Sequence, residues 1–209
     1  MKRTVSKPTG FTLVELLVVI SIIAILASFT IATIGFASRY AAMNRAKAEI
    51  SALQLALESY KIENGDYPRD DANTDSLDAK VDQNALIPNS ATSTPVATPY
   101  TRASLTLYKE LSGDADLNRT LSTTERTTIN NKVYFSFKPS MLCPSVKLFP
   151  SSTVKAIVDP FGNAYGYSTI GSTAGRTATQ GYNPTFDLWS TADVDKTGTT
   201  PVAKWITNW

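Results

Sequence analysis

Apolar residues dominate the chain from 11 to 38 almost without a break, and Glu15 is the one charge inside that stretch. At about 1.5 Å of rise per residue, a helix of this length reaches across the roughly 30 Å hydrocarbon core of a bilayer. A lone carboxylate inside such a span costs on the order of 2.5–3.5 kcal/mol on insertion scales, so Glu15 needs a function or a partner. From Arg39 onward the composition turns mixed while the helical period persists. Met43, Ala46, Ile50, Leu53, Leu57 and Tyr60 fall at alternating three- and four-residue spacings, a stripe that marks one buried helix face. Arg45, Glu49, Gln54, Glu58 and Lys61 are read onto the other faces. Asn64-Gly65 supplies a stop, and Pro68 prevents the helix from resuming. The pattern predicts one helix over 12–64, roughly 80 Å of it, with a lipid-facing first half and a second half laid on a globular head.

Residues 69–130 are polar and rich in turn formers. They read as a long surface excursion with short helices over 77–83 and 104–111. In the C-terminal half, Lys132 to Phe137 alternates and is aromatic, which predicts a strand. Further strands are predicted over 154–158, 164–168 and 186–190, with Asp159-Pro160-Phe161-Gly162-Asn163 as the turn between the first two. The fold class is therefore α+β, one long N-terminal helix packed on a small C-terminal antiparallel sheet.

Composition narrows the function. The chain of 209 residues has a net charge of +2, and removing Lys2, Arg3 and Lys7 with the first ten residues leaves −1. Such a near-neutral balance gives no support for nucleic-acid binding through a large basic surface. It contains no histidine, the commonest general base and imidazole ligand, which argues against an enzyme. Cys143 is the single cysteine, so no internal disulfide forms.

Three accounts compete for the N-terminus. A secretory signal would end near Ala24 to Ala27, but its apolar region is usually shorter and free of acid. A plain single-span anchor, oriented by Lys2, Arg3 and Lys7, explains the length and leaves Glu15 unexplained. The third account starts from Gly10-Phe11-Thr12-Leu13-Val14-Glu15-Leu16 behind a basic leader. That run resembles the processing site of type IV pilins and of type II secretion pseudopilins. The resemblance implies cleavage between Gly10 and Phe11 by a prepilin peptidase, and N-methylation of Phe11. It also implies that Glu15 meets the new α-amine of a neighbouring subunit as helices assemble. That amine is largely cationic near neutral pH. Family members commonly carry a proline mid-helix, where this chain has Ile31-Ala32-Thr33-Ile34-Gly35.

The run from Ala56 to Pro68 resembles the helix end of the type II secretion major pseudopilin. So do the turn and strand from Asp159 to Tyr167, the strand Phe186-Asp187-Leu188-Trp189-Ser190, and the final Ile206-Thr207-Asn208-Trp209. The resemblance implies a leader at 1–10, a transmembrane half-helix at 11–38, an amphipathic half at 39–65, and a head at 66–209 carrying the 69–130 insertion. It implies a structural subunit of an inner-membrane, periplasm-facing pseudopilus that drives protein export. Its partners would be further copies of itself, the prepilin peptidase, the assembly platform and minor pseudopilins. A type IV pilin-like role in adhesion, motility or DNA uptake, or a plain anchored binding domain, is the alternative.

The family loop after the 186–190 strand binds calcium. Carried over, Leu188 and Ser190 would lend oxygens and Asp193 and Asp195 carboxylates, the hard donors that calcium takes. A weaker calcium pattern lies at Asp114, Asp116, Asn118 and Glu125, which have the spacing of a twelve-residue calcium loop with Arg119 where glycine is expected. The competing reading is a polar loop in which Ser122 and Glu125 form a capping box.

Overall fold

The computed structural model describes residues 10–81, 99–129, 132–145, 152–177, 179–192 and 205–209, with the side chains of 29–34 left out. The leader at 1–9, Gln83 and the acidic pair Asp193 and Asp195 lie outside these residues. Contacts divide the chain into two compact units, residues 1–41 and 42–209. Helix α1, Leu13–Asn64, contributes to both.

In the first unit, the α1 side chains are almost all exposed and large. Leu13 is 80 % accessible, Ile20 57 % and Leu26 62 %. Such a continuous apolar surface on a helix demands a cover, either lipid or another chain. No helix among the described residues is long and apolar enough to cross a membrane. Within the segment 11–38 expected to span the membrane, the described α1 side chains at 13–28 and 35–38 are exposed.

In the second unit, the predicted stripe is buried at Ala46, Ile50, Leu53 and Leu57, while Met43 stays partly exposed. The helix stops where expected. Gly65 takes φ +86° and its N–H reaches the Lys61 carbonyl at 2.8 Å, a left-handed cap that glycine adopts without steric cost.

The insertion departs from expectation. Its described part is not all surface: α2, Pro99–Ser112, which contains the helix expected over 104–111, packs on two of the strands and buries Tyr100, Ala103, Leu107 and Leu111. Leu77 and Ala79 are buried as well. The short helix expected over 77–83 is absent among the described residues. There, Asp78 bonds the Lys80 N–H with its own carboxylate, and such local bonds compete with helix formation. A six-residue helix, α3, Thr123–Thr128, follows the acidic loop.

Two small antiparallel sheets complete the head. β1, Leu142–Cys143, pairs with β2, Ala156–Ile157. The other sheet has the order β3-β4-β5, from Gly166–Ser168, Asp187–Ser190 and Ile206–Thr207. The strand predicted over 132–137 does not form. The N–H groups of Tyr134 and Phe135 both turn to the Leu111 carbonyl at the end of α2. Their alternation instead places Phe135 and Phe137 against each other and Phe137 against Tyr108. An α+β head with a helix and small antiparallel sheets stands as read.

Candidate functional site

The N-terminal site is built by the first turn of α1. Gly10 to Thr12 precede the helix, and Phe11 is 77 % accessible. Nothing lies within 4 Å of the place a Gly10 side chain would take. Among the described residues, the Gly10–Phe11 peptide is exposed, non-helical backbone. Two residues on, Thr12 caps the helix. Its N–H and its hydroxyl both donate to Glu15 Oε2, at 2.9 and 2.7 Å, and its Oγ1 accepts the Glu15 N–H at 3.3 Å. This reciprocal arrangement satisfies helix-start donors that otherwise lack partners. Gly10, Phe11 and Glu15 therefore lie together at one helix end.

A second group fastens α1 to the head. Glu49, read from the sequence onto a face other than the apolar stripe, is 7 % accessible. It takes the Tyr165 hydroxyl at 2.6 Å and Arg45 Nε at 2.8 Å, while Arg45 Nη2 reaches Ser140 at 2.7 Å. Burial pushes the Tyr165 hydroxyl far up, and the Glu49 carboxylate adds to the shift. Sequence reasoning missed this pair. Its only trace is that Glu49 adjoins Ile50 on the border of the apolar stripe.

The turn 159–163 is held by Asp159, whose Oδ1 accepts the N–H groups of Phe161 and Asn163 at 2.9 and 2.8 Å. Its Oδ2 takes the Ser190 hydroxyl at 2.6 Å, and Asn163 Nδ2 reaches the Ala192 carbonyl at 2.6 Å. Burial raises Asp159 from 3.8 to about 6 despite these donors. Because the folded value lies above the unfolded one, the folded head binds this proton more tightly than the unfolded chain does. The stability it adds is full below about pH 4 and is lost as pH rises through about 6. Asp159→Asn is expected to remove a pH dependence on the order of 1–3 kcal/mol across that range. Denaturant unfolding of the detergent-solubilised chain and its variant would read it, and parallel pH profiles would refute it.

The calcium readings fare differently. Asp193 and Asp195 lie outside the described residues. Of the other two, the Leu188 carbonyl receives the Asn208 N–H at 3.1 Å, and the Ser190 hydroxyl is given to Asp159. Each of these oxygens takes part in one such hydrogen bond within the head. At the second candidate, Asp114, Asp116 and Glu125 bring carboxylate oxygens within 4.8 Å of one another. They too are spent on the chain. Asp114 holds the Asn118 and Arg119 N–H groups and the Tyr108 hydroxyl, and Asn118 Oδ1 caps Thr120. Glu125 receives the Ala115 N–H and completes the capping box with Ser122 at the start of α3. Arg119, at the position of the missing glycine, adopts φ +73°. The capped-loop reading is the one this geometry matches.

The helix start combines an exposed apolar helix, a glycine just before it and one glutamate bonded to Thr12 in its first turn. Comparison with known proteins agrees with it. Residues 6–31 match the prokaryotic N-terminal methylation motif, and residues 35–103 match type II secretion system protein G. The chain is 38 % identical over 78 residues to the type II secretion system core protein G of Vibrio cholerae serotype O1, covering 37 % of this chain and 53 % of that protein. To the Escherichia coli K12 core protein G it is 39 % identical over 75 residues, covering 36 % and 52 %. To that of Aeromonas hydrophila it is 38 % identical over 71 residues, covering 34 % and 50 %. The chain spans about half the length of these curated relatives. No solved structure matches it. The resemblance to type II secretion pseudopilins thus rests on a methylation motif directly followed by a protein G segment.

Proposed function

We propose that this chain is a structural, non-catalytic subunit of a type II secretion pseudopilus. It is made as a prepilin, cut between Gly10 and Phe11, and methylated on Phe11. The apolar half of α1 holds it in the inner membrane with the head on the periplasmic side. Copies then polymerise through that helix, with Glu15 at the contact, on an assembly platform and with minor pseudopilins. The observation that carries this reading is the adjacency of the two matches, 6–31 and 35–103. The exposed apolar face of α1 supports it, since both a membrane and a filament would cover that face.

Intact mass and N-terminal sequencing of membrane-extracted protein test the first step. The expected product begins at methylated Phe11. A product beginning at Met1 would support the plain anchor, and one beginning near Ala27 the secretory signal. Calcium belongs to this reading through the carboxylates Asp193 and Asp195. Saturating calcium is expected to raise the melting temperature by about 5 °C over chelator, as linkage requires of a ligand of the folded state. Asp193→Asn should abolish the rise, and an unchanged melting temperature in the parent chain would remove calcium from the reading.

A further inference from the structure

The loop before α3 carries Asn118-Arg119-Thr120. An asparagine with serine or threonine two positions on, and any residue but proline between, is the acceptor pattern for N-linked sugar. Along the whole chain only Asn118 and Asn183 have serine or threonine at that spacing, and Asn183 is followed by Pro184. Asn118 is thus the one complete pattern. So short a pattern also arises by chance, and its surroundings decide. Asn118 and Thr120 are exposed, whereas Asp114 beneath them is buried. The Asn118 carboxamide closes a local turn. Its Oδ1 accepts the Thr120 N–H at 2.8 Å and the Thr120 hydroxyl at 2.6 Å, and its Nδ2 donates to Asp116 Oδ2 at 2.7 Å. Asp114 anchors the loop by accepting the Asn118 and Arg119 N–H groups, and Arg119 Nη2 reaches the Pro144 carbonyl at 2.6 Å. The acceptor side chain is therefore displayed at the surface of a fixed loop.

We propose that Asn118 is an N-glycosylation site, receiving an oligosaccharide from a polyprenyl diphosphate donor through an oligosaccharyltransferase on the periplasmic face of the membrane. The proposal rests on the pseudopilin reading for one thing, the placement of the head in that compartment. In the transfer, Asn118 Nδ2 forms a bond to the anomeric carbon of the sugar. The bond from that carbon to the donor oxygen breaks, its electron pair leaves on the polyprenyl diphosphate, and Nδ2 gives up one proton to solvent. The fold accepts the product. Nδ2 keeps one hydrogen, which suffices for the bond to Asp116, and Oδ1 keeps both bonds from Thr120. No core side chain has to move for an exposed carboxamide to carry the substituent. A bulky, hydrophilic oligosaccharide beside α3 would hold that face of the head in solvent and out of subunit contacts. The loop lies beyond the segment 35–103 that matches protein G, so the site belongs to the part of the chain that this match does not cover.

The test uses the full chain in two settings. In cells, it is made in a bacterium that carries a periplasmic oligosaccharyltransferase and its lipid-linked donor. In detergent, the purified chain is mixed with that enzyme and a polyprenyl diphosphate oligosaccharide. Peptide mass mapping reads both. The expected result is one oligosaccharide on the peptide that contains Asn118 and none on the peptide that contains Asn183, where proline interrupts the pattern. Asn118→Gln keeps an amide and should lose the sugar entirely. Thr120→Val keeps the β-branched shape without the hydroxyl and should lose it too, whereas Thr120→Ser should retain it. Should Asn118→Gln fail to fold, the two Thr120 variants still decide, because both keep the Asn118 carboxamide.

Sugar on Asn118 in both settings supports the site and the periplasmic head together. Sugar in cells alone supports the site as one filled before the head folds. Sugar in detergent alone supports the site and overturns the periplasmic placement. No sugar on Asn118 in either setting overturns the proposal and leaves the pseudopilin reading standing. Sugar that persists in Asn118→Gln, or at the parental level in Thr120→Val, overturns it as well.

Discussion

Gly166→Ala is expected to destabilise the head by about 3 kcal/mol, a fall in melting temperature of roughly 6–12 °C for a chain of this size. A Cβ built on Gly166 would stand 2.1 Å from Trp189 Cε2 and 2.4 Å from Cζ2. Gly166 and Trp189 are register partners on neighbouring strands β3 and β4, so the indole lies across the glycine. The ring has nowhere to move. It is fully buried, with Trp205 parallel to it at 6.0 Å and the Tyr100 ring at 5.6 Å nearly at right angles to its plane. Interiors as dense as organic crystals convert such an overlap into backbone displacement and strain. Tryptophan fluorescence during thermal unfolding reads the effect. A second variant separates overlap from loss of strand propensity: Trp189→Leu alone is costly, yet adding Gly166→Ala to it should cost little more. Equal penalties in both backgrounds would refute the packing account.

How much of this was readable in advance depends on how local each signal is. The stripe Ala46, Ile50, Leu53 and Leu57 was legible because a helix repeats its buried face every three or four residues whatever covers it. Gly65 was legible because a left-handed cap selects glycine. The turn at Asp159-Pro160-Phe161-Gly162-Asn163 announced itself by the same local chemistry. What failed were inferences about partners. The alternation from Lys132 to Phe137 indicates two faces but not that the N–H groups of Tyr134 and Phe135 close the end of α2. β1, at Leu142–Cys143, is too short to show any period. The helix over 104–111 was legible but its burial was not, because the polar, turn-rich sequence around it gives Tyr100, Ala103, Leu107 and Leu111 no visible partner.

Glu49 and Glu15 show the same limit from opposite sides. Glu49 reads as a charge off the apolar stripe, and only the fold brings Tyr165, 116 positions away, to its carboxylate at 2.6 Å. Glu15 looked anomalous at once, because a charge within a long apolar run conflicts with its neighbours in sequence. The motif at 10–15 stands out in the sequence because its residues are contiguous. Its internal brace through Thr12 does not, because the apolar run draws attention to the acid and away from the hydroxyl.

Glu15→Ala is expected to abolish assembly while leaving cleavage at Gly10 intact, and its sign distinguishes the accounts of the N-terminus. Removing a carboxylate from an apolar helix makes that helix a better membrane span, by about 2.5–3.5 kcal/mol on insertion scales. A plain anchor therefore gains from the change, and its function should be unaffected. Under the pseudopilin reading the same change removes the only charge from residues 11–38 that could meet an α-amine. Leaving that amine unpaired where water is excluded costs several kcal/mol for each subunit contact. The penalty recurs at every addition to a filament, so a moderate loss per contact becomes near-complete loss of polymer. Membrane fractionation and shearing of cells carrying the variant would show full-length processing, membrane retention at least equal to the parent, and no sheared filament. Glu15→Gln refines the point, since an amide still accepts the Thr12 donors but offers the amine no charge. It should process normally and fail in assembly nearly as badly as alanine. Filaments at parental levels from either variant would remove the charge from the mechanism.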